Sequence, residues 1–391
     1  MTSTAPTLMP AAAWTTRADL IALVAALGAG QARFVGGAVR DTLLGVDVHD
    51  IDLATPLTPA DVIARLDAAK IRSVPTGIAH GTVTAILASG NVEITTLRHD
   101  VTTDGRRAQV AFASDWREDA ARRDFTINAL YCDPATRAVF DYFGGLEDLS
   151  AKRVRFIGDA RQRIREDHLR ILRYFRFQAR FGSQPADNDA ENACRELAAT
   201  LAELSRERIG WELQNLLALA DPAPTVARMA ELGVLAVILP EAQFEPLAEL
   251  IAEEARQHIA PDPIRRLAAL LPADAALADR VAARFRLSNT QRKRLAAAAV
   301  REPGDPRALA YKLGREMALD RLLLTGADTA PLTGWDIPVL PVKGGNIVAA
   351  GVPEGPRISR LLRKIEARWV AEGFPDAGRV AELLRAEIAA Q

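Results

Sequence analysis

The sequence predicts an α+β protein: a small α/β domain with a mixed sheet, followed by a long all-α region. Three observations predict it. Strand and helix signals alternate between residues 19 and 150. After 150 strand signals nearly vanish, and Ala, Leu, Arg and Glu recur at helical spacing. Two strand-like stretches, "TVTAILA" and "NVEITTL", meet around Ser89-Gly90, as in a tight antiparallel hairpin.

The elements follow in order. Residues 1–18, rich in Ala and Thr with no acid before Asp19, read as a disordered tail. Residues 19–28 predict a helix. "ARFVGG" is a short apolar strand ending in glycines, and "AVRDTLLG" opens a helix. "IDLAT" is strand-like; "TPADVIARLDAA" is a helix with Thr58 as its cap. Beyond 150, "DPAPT", "APDP", "EPGDP" and "LPVKGG" punctuate helices, which divides the region into 151–220, 221–305 and 306–391. No fixed-period repeat is present.

Composition narrows the class. The chain has 391 residues, 49% hydrophobic and 25% charged, with a formal net charge of −1, which suits a folded multi-domain protein. Cys132 and Cys194 stand far apart without metal-type spacing, so reduced thiols in a cytoplasmic setting are expected. No apolar run is long enough to span a bilayer. Charge is uneven: residues 151–182 hold nine Arg and one Lys against three acids, and 262–301 hold eight Arg and one Lys against three Asp. Arg357, Arg360, Lys364 and Arg368 add a stripe on one helical face. Any one stripe reads as a solvated face; three in one all-α region point to nucleic acid.

The chemistry concentrates in the first half. "HDIDLA" places Asp50 and Asp52 one residue apart, hence on one side of a strand, where they need a cation. Thirteen residues earlier, Gly36 and Gly37 form a strand-to-helix turn whose free N–H groups suit phosphate. Arg40, one turn on, could clamp the same phosphates. A hard cation such as Mg²⁺ takes carboxylates plus phosphate oxygens. Glu93 either completes a three-carboxylate site from a neighbouring strand or is an exposed strand acid. "WREDAARRDFTINAL" supplies Arg123, Asp124 and Asn128, suited to phosphate and ribose, or else a capped helix with solvated arginines. "RIREDHLRILRYFRFQARFG", read as one helix, has Ile164, His168, Ile171, Leu172 and Phe175 on an apolar face, with Asp167, Arg170, Arg173, Arg176 and Arg180 opposite. Asp167 and Arg170, three apart, match the edge of a base or form a surface salt bridge.

The run from Phe34 to about Gly182 resembles class II tRNA nucleotidyltransferases, the CCA-adding enzymes and their bacterial poly(A) polymerase relatives. "GGAVRD", "DID", "ITTLRHDVTTDGRRA", "RRDFTIN", "REDHLRILRYFRF" and "SRERIGWEL" resemble that family's motifs in order, over about half the chain. Residues 92–180 look most like mitochondrial-type members; the tail, including "EGFP" at 372–375, is similar only loosely. No His-Asp phosphohydrolase signature follows.

The resemblance implies a nucleotidyltransferase head at 19–150, then an all-α neck, body and tail that hold tRNA by its acceptor stem and 3′ end. It implies Asp50 and Asp52 as the catalytic, metal-binding pair for two Mg²⁺ ions. It places the triphosphate on Gly36, Gly37 and Arg40, and the ribose on Arg123, Asp124 and Asn128. Asp167 and Arg170 would read CTP or ATP, with Arg173 and Arg176 supporting the pocket. Residues 99–110 match a flexible loop linked to the switch from C to A, and Ser205 to Glu212 a brace for the neck. The implied reaction adds C, C and A without a nucleic-acid template and releases pyrophosphate; poly(A), CC-only or A-only addition share these motifs. No membrane and no obligatory protein partner are implied.

Overall fold

A computed structural model describes residues 7–104, 107–112 and 115–389. The chain forms two compact units: Met1–Leu216 with Pro224–Pro240, and Leu217–Ala223 with Glu241–Gln391.

In the first unit α1 (Ala18–Leu27) precedes β1 (Arg33–Val35), α2 (Gly37–Leu43), β2 (Ile51–Thr55) and α3 (Pro59–Ala68). Then come β3 (Ser73–Gly77), β4 (Thr82–Leu87), β5 (Gly90–Thr96), β6 (Arg98–Asp104) and β7 (Arg107–Phe112). The sheet closes with α4 (Trp116–Ala121), β8 (Leu130–Cys132), β9 (Val139–Asp141) and α5 (Gly145–Ser150). Seven strands form one mixed sheet in the order β3-β4-β5-β2-β1-β8-β9. Among the described residues only β2 and β5 pair in parallel; the other neighbours in this sheet are antiparallel. β4 and β5 form the expected hairpin, Leu87 opposite Gly90. Val92 and Ile94 are fully buried while Glu93 between them is exposed, as period-two alternation requires. Thr58 caps α3 in a capping box with Asp61.

Three expectations are corrected here. Residues 7–17 are not a free tail: Leu8 bridges to Ala138, Met9 is buried, and Trp14 packs edge-on against Phe34 at 4.7 Å. Two large apolar side chains anchor a stretch whose Ala-rich composition hides them. Residues 1–6 lie outside the described residues. The segment 99–110, expected as a loop, pairs as the β6–β7 ladder, consistent with its β-branched residues; positions 105 and 106 lie outside the description. The helix expected over 163–182 is two, α6 (Ala160–Glu166) and α7 (Arg170–Phe181). Asp167 breaks it, its carboxylate accepting the Leu169 N–H at 3.1 Å in competition with helical bonding.

α8 (Asn188–Leu197), α9 (Arg206–Leu217), α10 (Ala223–Glu231) and α11 (Val234–Ile238) follow. The predicted apolar residues of α6 and α7 are buried apart from partly exposed His168, and Tyr174, Phe177 and Gln178 join them.

The second unit is helical: α12 (Glu245–Arg256), α13 (Pro263–Ala269), α14 (Ala275–Arg284), α15 (Asn289–Ala299), α16 (Pro306–Leu313), α17 (Arg315–Leu324), α18 (Gly344–Ala349), α19 (Pro356–Ala371) and α20 (Ala377–Ala389). Leu361, Ile365 and Trp369 of α19 form a core with Val380 and Leu383 of α20. "EGFP" is the turn between them: Phe374 packs on Trp369, whose indole donates to the Pro375 carbonyl at 2.8 Å.

The basic stretches also differ from expectation. Arg265, Arg266 and Arg294 are buried. Arg265 and Arg266 pair with Glu254, Arg265 and Arg294 with Asp320, and Arg294 also with Asp262 and Glu316. Arg153 and Arg155 likewise pair with buried Asp148. Most of this charge is neutralised internally. On α19, Arg357, Arg360, Arg363 and Lys364 are exposed, Lys364 lying 3.9 Å from Glu387. Among the described residues no helix is long and apolar enough to cross a membrane.

Candidate active site

β1, β2 and β5 carry the reacting end of the site. Asp52 and Glu93 are register partners on parallel strands. Asp50 enters two residues before Asp52 and is exposed. The Asp52 carboxyl is pushed up to about 6, first by burial and then by the charge of Glu93; Asp50 adds to this and Arg123 opposes it. Glu93 is thus beside Asp52 but solvent-facing, between the two alternatives its sequence left open. Among the described residues, no group of three or more His, Cys, Asp or Glu side chains is gathered tightly enough to hold a metal by itself. The donor set still fits Mg²⁺. It is all oxygen, burial and Glu93 outweigh the Arg123 charge at the Asp52 carboxylate, and Mg²⁺ commonly takes one or two carboxylates and completes its shell with phosphate and water.

β1 runs into the glycine turn. Gly36 has φ 69° and ψ −122°, a region closed to L side chains. A Cβ there would stand 3.4 Å from Arg123 Nη1 and 3.6 Å from the Asn128 carbonyl oxygen. The turn therefore lies against two of the three residues expected at the ribose. Arg123 donates to Tyr131 Oη at 3.1 Å and to Asp119 at 3.3 Å. Asp119, buried, also takes Arg122 at 2.7 Å and the Tyr131 hydroxyl at 2.6 Å. Sequence reasoning missed Asp119 and Tyr131; the signal for Asp119 was its spacing of three and four from Arg122 and Arg123 on one helical face.

Arg40 differs from expectation. It is 5% exposed, and its guanidinium bonds Asn128 Oδ1 and Asp41 beneath the Phe181 ring. Its guanidinium is held by Asn128 and Asp41 rather than standing free.

Asp124 accepts from its neighbour's N–H on Phe125, from Asn128 Nδ2, both at 2.9 Å, and from two nitrogens of Arg173 at 2.9 and 2.5 Å. Burial works to raise its pKa, but the Arg173 charge together with the hydrogen bonds from Asn128, Arg173 and the Phe125 N–H outweighs it and holds the carboxyl at about 2. Asp167 and Arg170 are not paired through their side chains. Asp167 accepts from Arg208 at 3.0 Å, and Arg170 donates to Glu166 at 2.7 Å and to the Arg163 carbonyl at 2.8 Å. Arg176 donates to buried Glu212 at 2.7 Å, and Arg173 Nη1 stands 3.7 Å from the same carboxylate. "SRERIGWEL" thus acts through two residues, Arg208 on Asp167 and Glu212 on Arg173 and Arg176. The structure joins Asp124, Asn128, Arg40, Arg173, Arg176 and Glu212 into one bonded chain. Asp50, Asp52 and Glu93 form a second, acidic group, in which Asp52 feels the charge of Arg123.

A glycine turn, an acidic pair at the start of β2 and a buried Asp-Asn-Arg cluster on a mixed sheet define a nucleotidyltransferase. The comparisons agree. Residues 32–155 match the family described as "Poly A polymerase head domain", and residues 187–245 match "Probable RNA and SrmB- binding site of polymerase A". The mouse protein "CCA tRNA nucleotidyltransferase 1, mitochondrial" is 36% identical over 374 residues, covering 88% of this chain and 84% of that protein. A Streptococcus pyogenes "CCA-adding enzyme" is 45% identical over 191 residues, 48% of this chain and 46% of that protein. The Bacillus stearothermophilus CCA-adding enzyme in complex with CTP superposes with TM-score 0.72 at 28% identity, covering 95% and 97% of the two chains. The Thermotoga maritima CCA-adding enzyme complexed with tRNA shares the fold, with TM-score 0.67 at 20% identity over 92% and 91%. The chain belongs to the CCA tRNA nucleotidyltransferase family.

Proposed function

We propose that this chain adds C, C and A in turn to the 3′ end of tRNA, using CTP and ATP, without a nucleic-acid template. The observation that carries this reading is the 36% identity to a curated CCA tRNA nucleotidyltransferase over 88% of the chain. That overlap takes in helical region as well as head.

The terminal 3′-OH attacks the α-phosphorus, a new phosphodiester forms, and the bond to pyrophosphate breaks. The Gly36 N–H is held by the Leu130 carbonyl at 3.1 Å, so the N–H groups at the start of α2, from Gly37 onward, take the triphosphate together with Arg123. Asp124 and Asn128 take the ribose, and Arg40 positions Asn128. Asp167 and Arg170 read the Watson–Crick edge of the base, with Arg173 and Arg176 supporting the pocket. Asp50 and Asp52, with Glu93 beside them, would hold Mg²⁺. Two bound ions would acidify the attacking hydroxyl and offset charge on the leaving group.

Residues 19–150 are the head, 151–220 the neck, 221–305 the body and 306–391 the tail on this reading. Exposed Arg357, Arg360 and Arg363 of α19 suit the RNA backbone. A cytoplasmic location goes with the two free, buried cysteines, and fractionation of cells tests it.

The deciding experiment offers tRNA lacking CCA, CA or A with labelled CTP or ATP. The expected result is CTP incorporation on the first two, ATP on the third, and a stop after one A. Long A tails would assign poly(A) synthesis, and CTP-only or ATP-only incorporation a partial-end enzyme.

A further inference from the structure

Asp124, the residue proposed to accept the ribose hydroxyls, has no acceptor capacity left. An ionised carboxylate offers about four lone-pair sites. Oδ1 takes the Phe125 N–H and Asn128 Nδ2; Oδ2 takes Nε and Nη2 of Arg173. A sugar hydroxyl can donate to Asp124 only if one of these donors withdraws.

The Phe125 donor is backbone. Asn128 is pinned on its other side by buried Arg40. Arg173 is the donor free to move, on a flexible stem with its side chain 31% exposed. A receiving group stands beside it. Glu212 is 1% exposed; Oε2 holds Arg176 at 2.7 Å, while Oε1 is buried and accepts no hydrogen bond. Arg173 Nη1 lies 3.7 Å from that Oε1. A buried acceptor left unsatisfied costs free energy, which a new donor recovers.

We propose that nucleotide binding hands Arg173 from Asp124 to Glu212, and that this transfer makes Glu212 a positioning residue for ribose selection. The transfer keeps the guanidinium paired while it frees Oδ2 of Asp124. A ribose then supplies hydroxyl donors in place of the departing N–H groups. A 2′-deoxyribose supplies one fewer, and the buried carboxylate stays short of a partner. Discrimination against such an under-donating sugar is characteristic of sites built to hydrogen-bond a hydroxyl.

This inference rests on the reading of Asp124 as the ribose residue, and the test separates the two. kcat/KM for CTP and for dCTP is measured on tRNA lacking its CCA end, with wild type, E212Q, E212D and D124N, each checked by thermal melting. In E212Q the one carbonyl oxygen stays with Arg176 and an amide N–H faces Arg173, so the transfer is blocked in a side chain of the same shape. The expected result is a fall of about tenfold in the CTP/dCTP preference, the scale of one hydrogen bond to a charged group, carried by the KM for CTP. E212D, which keeps two acceptor oxygens, recovers part of it. An equal loss for CTP and dCTP in E212Q, or an unchanged ratio, overturns the transfer. If D124N abolishes the preference while E212Q keeps it, only the transfer falls. If D124N keeps it, the ribose reading falls and the transfer with it.

Discussion

Asp52, proposed to hold Mg²⁺, shows how a single residue can cost stability. Its carboxyl stands at about 6 against an ordinary 3.8, because burial and Glu93 both oppose its charge. A carboxyl raised on folding destabilises the fold when ionised. The cost is absent below about pH 4, grows as pH rises, and is complete above about pH 6, reaching about 3 kcal/mol at most. D52N removes that ionisation. In EDTA, its melting temperature should exceed wild type by several degrees at pH 7.5 and match it near pH 4, while nucleotide addition is lost. A variant no more stable than wild type at pH 7.5 would contradict the electrostatic account. Mg²⁺ should raise the wild-type melting temperature at pH 7.5 and leave D52N nearly unmoved.

At the scale of elements, the break between α6 and α7 decides where the side chain of Asp167, proposed to read the base, points. A continuous helix would stack Asp167 over Arg170; the extended residue instead turns its carboxylate to the Leu169 N–H and to Arg208 of α9. Arg208 is the tether that fixes it. R208A should leave tRNA affinity in a gel shift intact but raise UTP and GTP misincorporation about tenfold, on the scale of a lost charged hydrogen bond. Unchanged fidelity would remove α9 from base selection. The break was illegible because Asp-His-Leu contains neither Gly nor Pro. The cue was local competition by an Asp side chain, a weaker signal than either.

At the scale of the whole molecule, the second unit is organised around buried charge. Asp320 is fully buried and accepts from both Arg265 and Arg294. D320A removes the acceptor shared by two buried guanidinium groups and leaves Arg265 only the Glu254 carboxylate and Arg294 only those of Asp262 and Glu316; losing one partner from such a buried network costs about 3 kcal/mol. Hydrogen exchange should show earlier opening of α13, α15 and α17 in D320A, with protection of the β1–β2–β5 strands unchanged. The difference should persist in 1 M salt, because buried pairs are screened little. Equal loss of protection in both units would make them one cooperative body.

What the sequence by itself determined is whatever depends on near neighbours along the chain. The mixed sheet followed by helices, the Gly36-Gly37 turn, and the placing of Glu93 on the face opposite Val92 and Ile94 all follow from periods of two and 3.6 and from glycine's freedom at positive φ. Only the tertiary structure decided which distant groups meet. Counting charge along 262–301 could not reveal that Glu254 and Asp320 would absorb its arginines. Spacing could not reveal that Arg40 would turn to Asn128, or that Arg173 would lie between Asp124 and Glu212, 49 residues from the first. Short-range sterics set local conformation, whereas partners for buried charge are fixed by packing between segments whose separation in sequence carries no signal.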